Sequence, residues 1–220
     1  STPKPSSAAS DVYKRQNHTF LLNPSTTESV NPLMFASMPF DPQRDLRPVG
    51  LLANSQLFLF VRSSLGVDTL EAFVEYARKQ PNPLNYGSAG NGTTPHLAGE
   101  LLKQATGMQA THAPYRGVAP AIQDLAAGQI DFAFGPATVF PMVQAGKLKV
   151  LAVASRQRAA VAPDIRTFSE AGIDGVFADS LFGVYAASGT RDDVVERMNA
   201  EINKVCLLYT SDAADEGLGV

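Results

Sequence analysis

The chain has 220 residues, 45% hydrophobic and 18% charged, with a formal net charge of −3. That suffices for one large domain or two small ones. The charge balance argues against nucleic-acid binding, which needs a basic face to displace counterions. An anionic small ligand would have to be held by local groups. The single cysteine, Cys206, forms no internal disulfide, and no run of about 20 apolar residues spans a membrane. No signal peptide is visible in the polar opening stretch.

Both ends read as non-native tails, residues 1–16 and 206–220. The stretches Ser10 to Gln16 and Leu207 to Glu216 look like translated sequencing adaptor flanking a gene fragment. Between them, Thr19 to Leu22 is a predicted strand leading into the turn Asn23-Pro24-Ser25-Thr26-Thr27. Leu51 to Ala53 and Leu57 to Val61 are further apolar runs. A helix follows, with Asp68 and Glu71 at capping-box spacing and Leu70, Phe73, Val74 and Ala77 on one face. It stops at Gln80-Pro81-Asn82-Pro83.

The strand Leu84-Asn85-Tyr86 enters a glycine-rich turn, then a helix with Thr94 as N-cap, Pro95 at its first position and a stripe of Leu97, Leu101 and Leu102. Gly107 is its C-cap. Strand and helix alternate again: Ala110 to Pro114, Ala119 to Ala127, Ile130 to Phe134, Ala137 to Ala145, Leu148 to Ala154. This alternation predicts a mostly parallel sheet covered on both faces. After a loop-rich stretch, Leu181 to Ala186 is a strand, and Thr190 with Asp193 caps a last helix carrying Val194, Val195, Met198 and Ile202. The linkers fall near residues 55–65 and 176–188, two crossings between the same two lobes, as in a hinged clamshell.

The turn Gly87-Ser88-Ala89-Gly90-Asn91-Gly92-Thr93-Thr94-Pro95 is the best candidate site. Glycines allow positive φ and close backbone approach, and the following helix presents free N–H groups. Together these make an anion site. The hydroxyls of Ser88, Thr93 and Thr94 and the amide of Asn91 add hydrogen bonds. Glu100 is the one charged residue between Pro81 and Leu102, so dipoles rather than cations would hold an anion. No Gly-Lys-Ser/Thr follows, and the order G-x-x-G-x-G is not the dinucleotide fingerprint. NAD and ATP are therefore not expected, and no cofactor is. One rival is enzymatic: Tyr86-Gly87-Ser88-Ala89-Gly90 is one residue short of a nucleophile elbow, with Ser88 as nucleophile and His96 or His112 as base. An elbow helix starts directly after its serine, whereas here six residues intervene before Pro95.

His18, His96 and His112 lack ligand spacing, so no metal is expected. His96 follows Pro95 and is a candidate to face the ligand. Arg116 is able to pair with a carboxylate. Phe134-Gly135-Pro136-Ala137-Thr138 opens the next helix, making Gly135 and Thr138 a candidate second set of ligand contacts.

Leu84-Asn-Tyr-Gly-Ser-Ala-Gly-Asn-Gly-Thr-Thr-Pro-His-Leu-Ala-Gly-Glu100 resembles the tripartite tricarboxylate transporter substrate-binding (Bug receptor) family. So do His112-Ala-Pro-Tyr-Arg-Gly117, Ala145-Gly-Lys-Leu-Lys-Val-Leu-Ala-Val153 and Phe182-Gly183. The resemblance covers roughly Thr19 to Val205. It implies a periplasmic-binding-protein-like α/β clamshell whose second lobe (64–177) is complete and whose first lobe (17–63 with 178–205) is partial. It further implies a periplasmic, non-enzymatic monomer that hands a small carboxylate to the membrane permease of a tripartite transporter. The turn Ser88 to Thr94 would be the second-lobe half of the grip, and Ser25, Thr26 and Thr27 a first-lobe segment facing it. A ligand-sensing domain of a regulator is a further alternative.

Overall fold

The computed structural model describes residues 19–215, with side chains through Val205. The N-terminal tail and His18 lie outside the described residues. In chain order the elements are β1 (Leu21–Pro24), α1 (Thr26–Ser29), α2 (Asn31–Met34), α3 (Pro42–Asp45), β2 (Leu46–Ser55), β3 (Phe58–Arg62), α4 (Leu70–Lys79), β4 (Leu84–Ser88), α5 (Thr94–Thr106), β5 (Ala110–Pro114), α6 (Val118–Ala126), β6 (Phe132–Gly135), α7 (Phe140–Gln144), β7 (Leu148–Val153), β8 (Ser180–Ala187) and α8 (Asp192–Asp215). The chain forms two compact units. One comprises the segments up to Asn54 and from Ser180 onward; the other is Ser55–Asp179. No helix among the described residues is long and apolar enough to cross a membrane.

In the first unit a three-stranded sheet has the order β1-β8-β2, with β1 antiparallel to β8. Pro24 ends β1 instead of opening a turn, which an edge strand tolerates because its missing N–H costs no ladder bond. Ser25 then sits in the αR region at the start of α1, so the expected turn is the entry to a helix. One face of α8 packs Val195 and Ile202 on Val49, Val184 and Ala186. The anticipated Thr190/Asp193 capping box does not form: the Thr190 N–H bonds to the Ala187 carbonyl, and Asp193 pairs with Arg191 at 2.7 Å. The backbone of α8 also continues past Val205 to Asp215, through a stretch with no glycine or proline to break it.

The second unit is built on a five-stranded sheet of order β5-β4-β6-β3-β7. Strands β4 and β5 are parallel, as are β4 and β6, while β3 is antiparallel to both β6 and β7. Four strands thus share one direction and β3 alone opposes them, so the sheet is mixed where the alternation predicted a mostly parallel one. The difference arises because β3 enters from the other unit and has no crossover helix to fix its direction. Side chains of β3 alternate between faces. Leu59 and Val61 join Tyr86, Phe132, Phe134, Phe73 and Leu102 on one side; Phe58 and Phe60 join Ile122, Leu125 and Val153 on the other. Both faces are covered, as α/β layering requires.

Local corrections have local causes. Helix α4 is capped by Thr69, whose hydroxyl accepts the Ala72 N–H at 3.1 Å, while Asp68 pairs with Lys149. Helix α5 takes Thr93 as its N-cap residue, without a side-chain cap, and Thr94 is already helical. Its buried face is Ala98, Gly99, Leu102 and Thr106, with Leu97 and Leu101 only half-buried. The helix expected over Ala137 to Ala145 splits into a 3-10 turn, Ala137–Val139, and α7. Pro141 has no N–H to give the Ala137 carbonyl, so a single α-helix cannot run through.

Candidate functional site

Because β5, β4, β6 and β7 share a direction, their carboxyl ends lie along one edge of the second unit. In open α/β sheets ligands bind outside that edge. The turn 89–93 follows β4, the segment Tyr115-Arg116-Gly117 follows β5, and the 3-10 turn with Thr138 follows β6. Of the expected site residues, Ser88, Ala89, Gly90, Asn91, Gly92, Thr93, Thr94 and His96 come together here, and Gly135 ends the adjacent strand. Thr138 on this edge is exposed. Ser25, Thr26 and Thr27 belong to the first unit, where the Ser25 N–H is taken by the Leu181 carbonyl at 2.9 Å.

The turn is held from within. Gly90 (φ 124°) and Gly92 (φ 78°) occupy conformations that side chains resist. The Ser88 hydroxyl accepts the Gly90 N–H at 3.1 Å, and the Gly90 carbonyl is taken by the Thr93 N–H (3.3 Å) and hydroxyl (2.7 Å). His96 Nδ1 accepts the Gly92 N–H at 3.1 Å. Among the described residues, the N–H groups of Ala89, Asn91 and His96 are left without a hydrogen-bond partner. They sit at the positive end of a 13-residue helix. Ser88 itself is only 1% exposed, so its hydroxyl organises the turn from beneath.

Beneath the turn lies an aromatic stack that sequence reasoning did not assemble. Parallel register sets His112 beside Tyr86, and Ser88 two residues on points to the same face. His112 Nε2 lies 2.6 Å from Ser88 Oγ, and the His96 and His112 rings stack with centroids 4.1 Å apart. Tyr86 packs on His112 at 4.9 Å and donates its hydroxyl proton to Glu100 at 2.7 Å, and Lys103 clamps Glu100 at 2.8 Å. Burial pushes the His112 imidazole down to about 4, helped by the neighbouring His96. Burial also lowers His96, with Lys103 adding to the effect and Glu100 opposing it. Burial acts upward on Glu100, but the hydrogen bonds from Lys103 and Tyr86 outweigh it and hold the carboxyl below its usual range.

At the far end of the same edge, the Ser155 hydroxyl accepts from Gln56 (3.1 Å) and donates to Asp179 (3.0 Å). The other Asp179 oxygen is buried without a partner among the described residues. None of the three could be placed from local spacing, because Gln56, Ser155 and Asp179 meet only once the sheet forms.

Residues 7–208 match the family described as the tripartite tricarboxylate transporter family receptor. The chain belongs to that family. A curated relative, the "UPF0065 protein in tcbD-tcbE intergenic region" of Pseudomonas sp. (strain P51), is 36% identical over 189 residues, which is 85% of this chain and 56% of the relative. Among solved structures, R. palustris Rpa4515 with adipate is 34% identical at a TM-score of 0.84, covering 89% of this chain and 66% of that one. MatC from Rhodopseudomonas palustris with bound malate is 28% identical at 0.80, covering 90% and 68%. The α/β fold is therefore that of the family's periplasmic binding proteins, and this chain spans just over half the length of the curated relative. Family and neighbours are receptors rather than enzymes. The elbow reading of Ser88 also fails on geometry. Its hydroxyl is buried, and among the described residues no acid hydrogen-bonds the His112 ring to complete a triad.

Proposed function

We propose that this chain is the solute-binding receptor of a tripartite tricarboxylate-type transporter, held outside the cytoplasm, that captures a small carboxylate without covalent chemistry. One observation carries the reading: partnerless N–H groups cluster in a glycine turn at a helix N-terminus, on the carboxyl edge of the sheet. A carboxylate oxygen accepting such N–H groups makes charge-assisted hydrogen bonds. The helix end adds about 0.3–1 kcal/mol, more when partly buried. No cation lies within the turn, so recognition is by oriented dipoles, which suit a ligand that must later be released. Ser88 to Thr94 form the grip in the second unit, with Gly135 and Thr138 at its side. Ser25, Thr26 and Thr27 are its counterpart in the first. The adipate and malate carried by similar structures support a mono- or dicarboxylate as the ligand class. The partner that receives it is a membrane permease, and the receptor works as a monomer.

Thermal-shift and calorimetric titration of the full-length gene product against adipate, malate, succinate, amino acids and aromatic acids tests this. A ligand at 100 times its Kd stabilises by about 2.7 kcal/mol, an unmistakable rise in Tm. Gly90→Val, which cannot adopt φ 124° without strain, is expected to abolish the rise while leaving the far-ultraviolet circular dichroism unchanged. Absence of stabilisation by every carboxylate in the panel refutes the proposal.

A further inference from the structure

The two imidazoles beneath the turn are not equivalent. His96 Nδ1 is an acceptor of the Gly92 N–H, so that nitrogen must stay unprotonated for the bond to exist. His112 Nε2 meets a hydroxyl, which is able to donate or to accept. With His112 neutral and its proton on Nδ1, the Ser88 proton points at Nε2. With His112 protonated, Nε2–H donates to Ser88 Oγ, and the Ser88 proton swings to the Gly90 carbonyl 3.1 Å away. In both states Ser88 Oγ still accepts the Gly90 N–H. A proton on His112 therefore leaves the turn intact, whereas one on His96 breaks it. Stacked 4.1 Å apart, the rings do not both carry charge.

We propose that His112 is the positioning residue of this turn, acting through Ser88, and that it takes up one proton when a carboxylate is captured there. This rests on the receptor reading given above. The titratable and charged groups facing the pair are Tyr86 from β4 and Glu100 and Lys103 from α5. Tyr86 and Lys103 are already bound to Glu100, whose charge is thereby shared. An anion arriving at the turn supplies the missing negative charge, and the imidazolium that forms beneath the turn returns the attraction. Capture and protonation thus favour each other by linkage.

Calorimetry of the full-length protein with adipate, malate or succinate at pH 6, in buffers of different ionisation enthalpy, counts the protons. Net uptake on binding is expected, and Kd tightens by up to about tenfold per pH unit as pH falls from 7 toward 5. The ligand contributes with the opposite sign, since a dicarboxylate bound as its dianion releases protons. In His112→Gln, whose amide still bonds Ser88 but cannot be charged, uptake vanishes and the pH profile of Kd flattens. Imidazole resonances of the unsubstituted protein, followed by NMR with and without adipate, read the same proton: the His112 titration moves upward on binding. Tight binding with no proton uptake, or uptake unchanged in His112→Gln, overturns this inference and leaves the receptor reading standing. Failure of every carboxylate in the wider panel to bind at any pH removes both.

Discussion

Gly99 lies where α5 crosses the ring of Tyr86. A Cβ there would stand 2.2 Å from Tyr86 Cε2, and the ring is wholly buried, with nowhere to go. Gly99→Ala is expected to cost about 3 kcal/mol in urea denaturation, at the upper end of overpacking. Gly107→Ala, at φ 70° with open space around it, is expected to cost about 1 kcal/mol. Glu28 is a second informative residue. Both its carboxylate oxygens are buried with no well-formed hydrogen bond among the described residues, although Tyr185 and Asn23 lie close. Desolvation dominates and raises its pKa. The native state therefore holds the Glu28 proton more tightly than the unfolded chain does. Its charge costs stability at neutral pH, and that cost disappears as pH falls below the unfolded value near 4.3. Glu28→Gln is expected to raise Tm by a few degrees at pH 7 and to leave it unchanged at pH 3.5, which scanning calorimetry reads directly.

Among the elements, α4 tests how a helix start is chosen. Asp68 and Thr69 are both good caps, and each has a partner three residues on. Thr69→Ala is expected to cost about 1 kcal/mol, because the Ala72 N–H loses its acceptor. Asp68→Ala removes only an exposed ion pair with Lys149 and should change stability by less than about 0.5 kcal/mol in the same urea titration. The sequence shows that a helix begins here but not which cap wins, since that depends on where the entering chain turns. Helix α5 has a similar lesson. Its leucines suggested a stripe of Leu97, Leu101 and Leu102, yet the buried face is set by Ala98 and Gly99, because close approach to Tyr86 rewards smallness over apolar bulk. The glycine turn was legible because its ingredients are contiguous. The His112 contact was not, because parallel register between β4 and β5 is fixed by the whole sheet and not by any local spacing.

For the molecule as a whole, Glu28 in the first unit and the two histidines in the second respond to acid in opposite senses. His96 and His112 are held neutral in the fold, so the second unit binds fewer protons than its unfolded chain. It loses stability as pH falls from about 6.5 toward 4. The first unit sheds the Glu28 penalty over the lower part of that range. Hydrogen exchange at pH 7, 5.5 and 4.5 is expected to show protection in β4 to β6 declining faster than in β1 and β8, and equal decline would contradict the assignment. The alternation of strands and helices was enough to announce an α/β chain. It did not reveal the reversal of β3, because a strand arriving from another unit carries no mark of its direction. That reversal has a consequence for how the protein comes into being. Phe58, Leu59, Phe60 and Val61, each at most 1% exposed in the finished sheet, leave the ribosome early, yet the strands that cover them begin only at Phe132 and Leu148. During synthesis this apolar strand waits without its neighbours, an opportunity for aggregation that makes it a natural client segment for a chaperone.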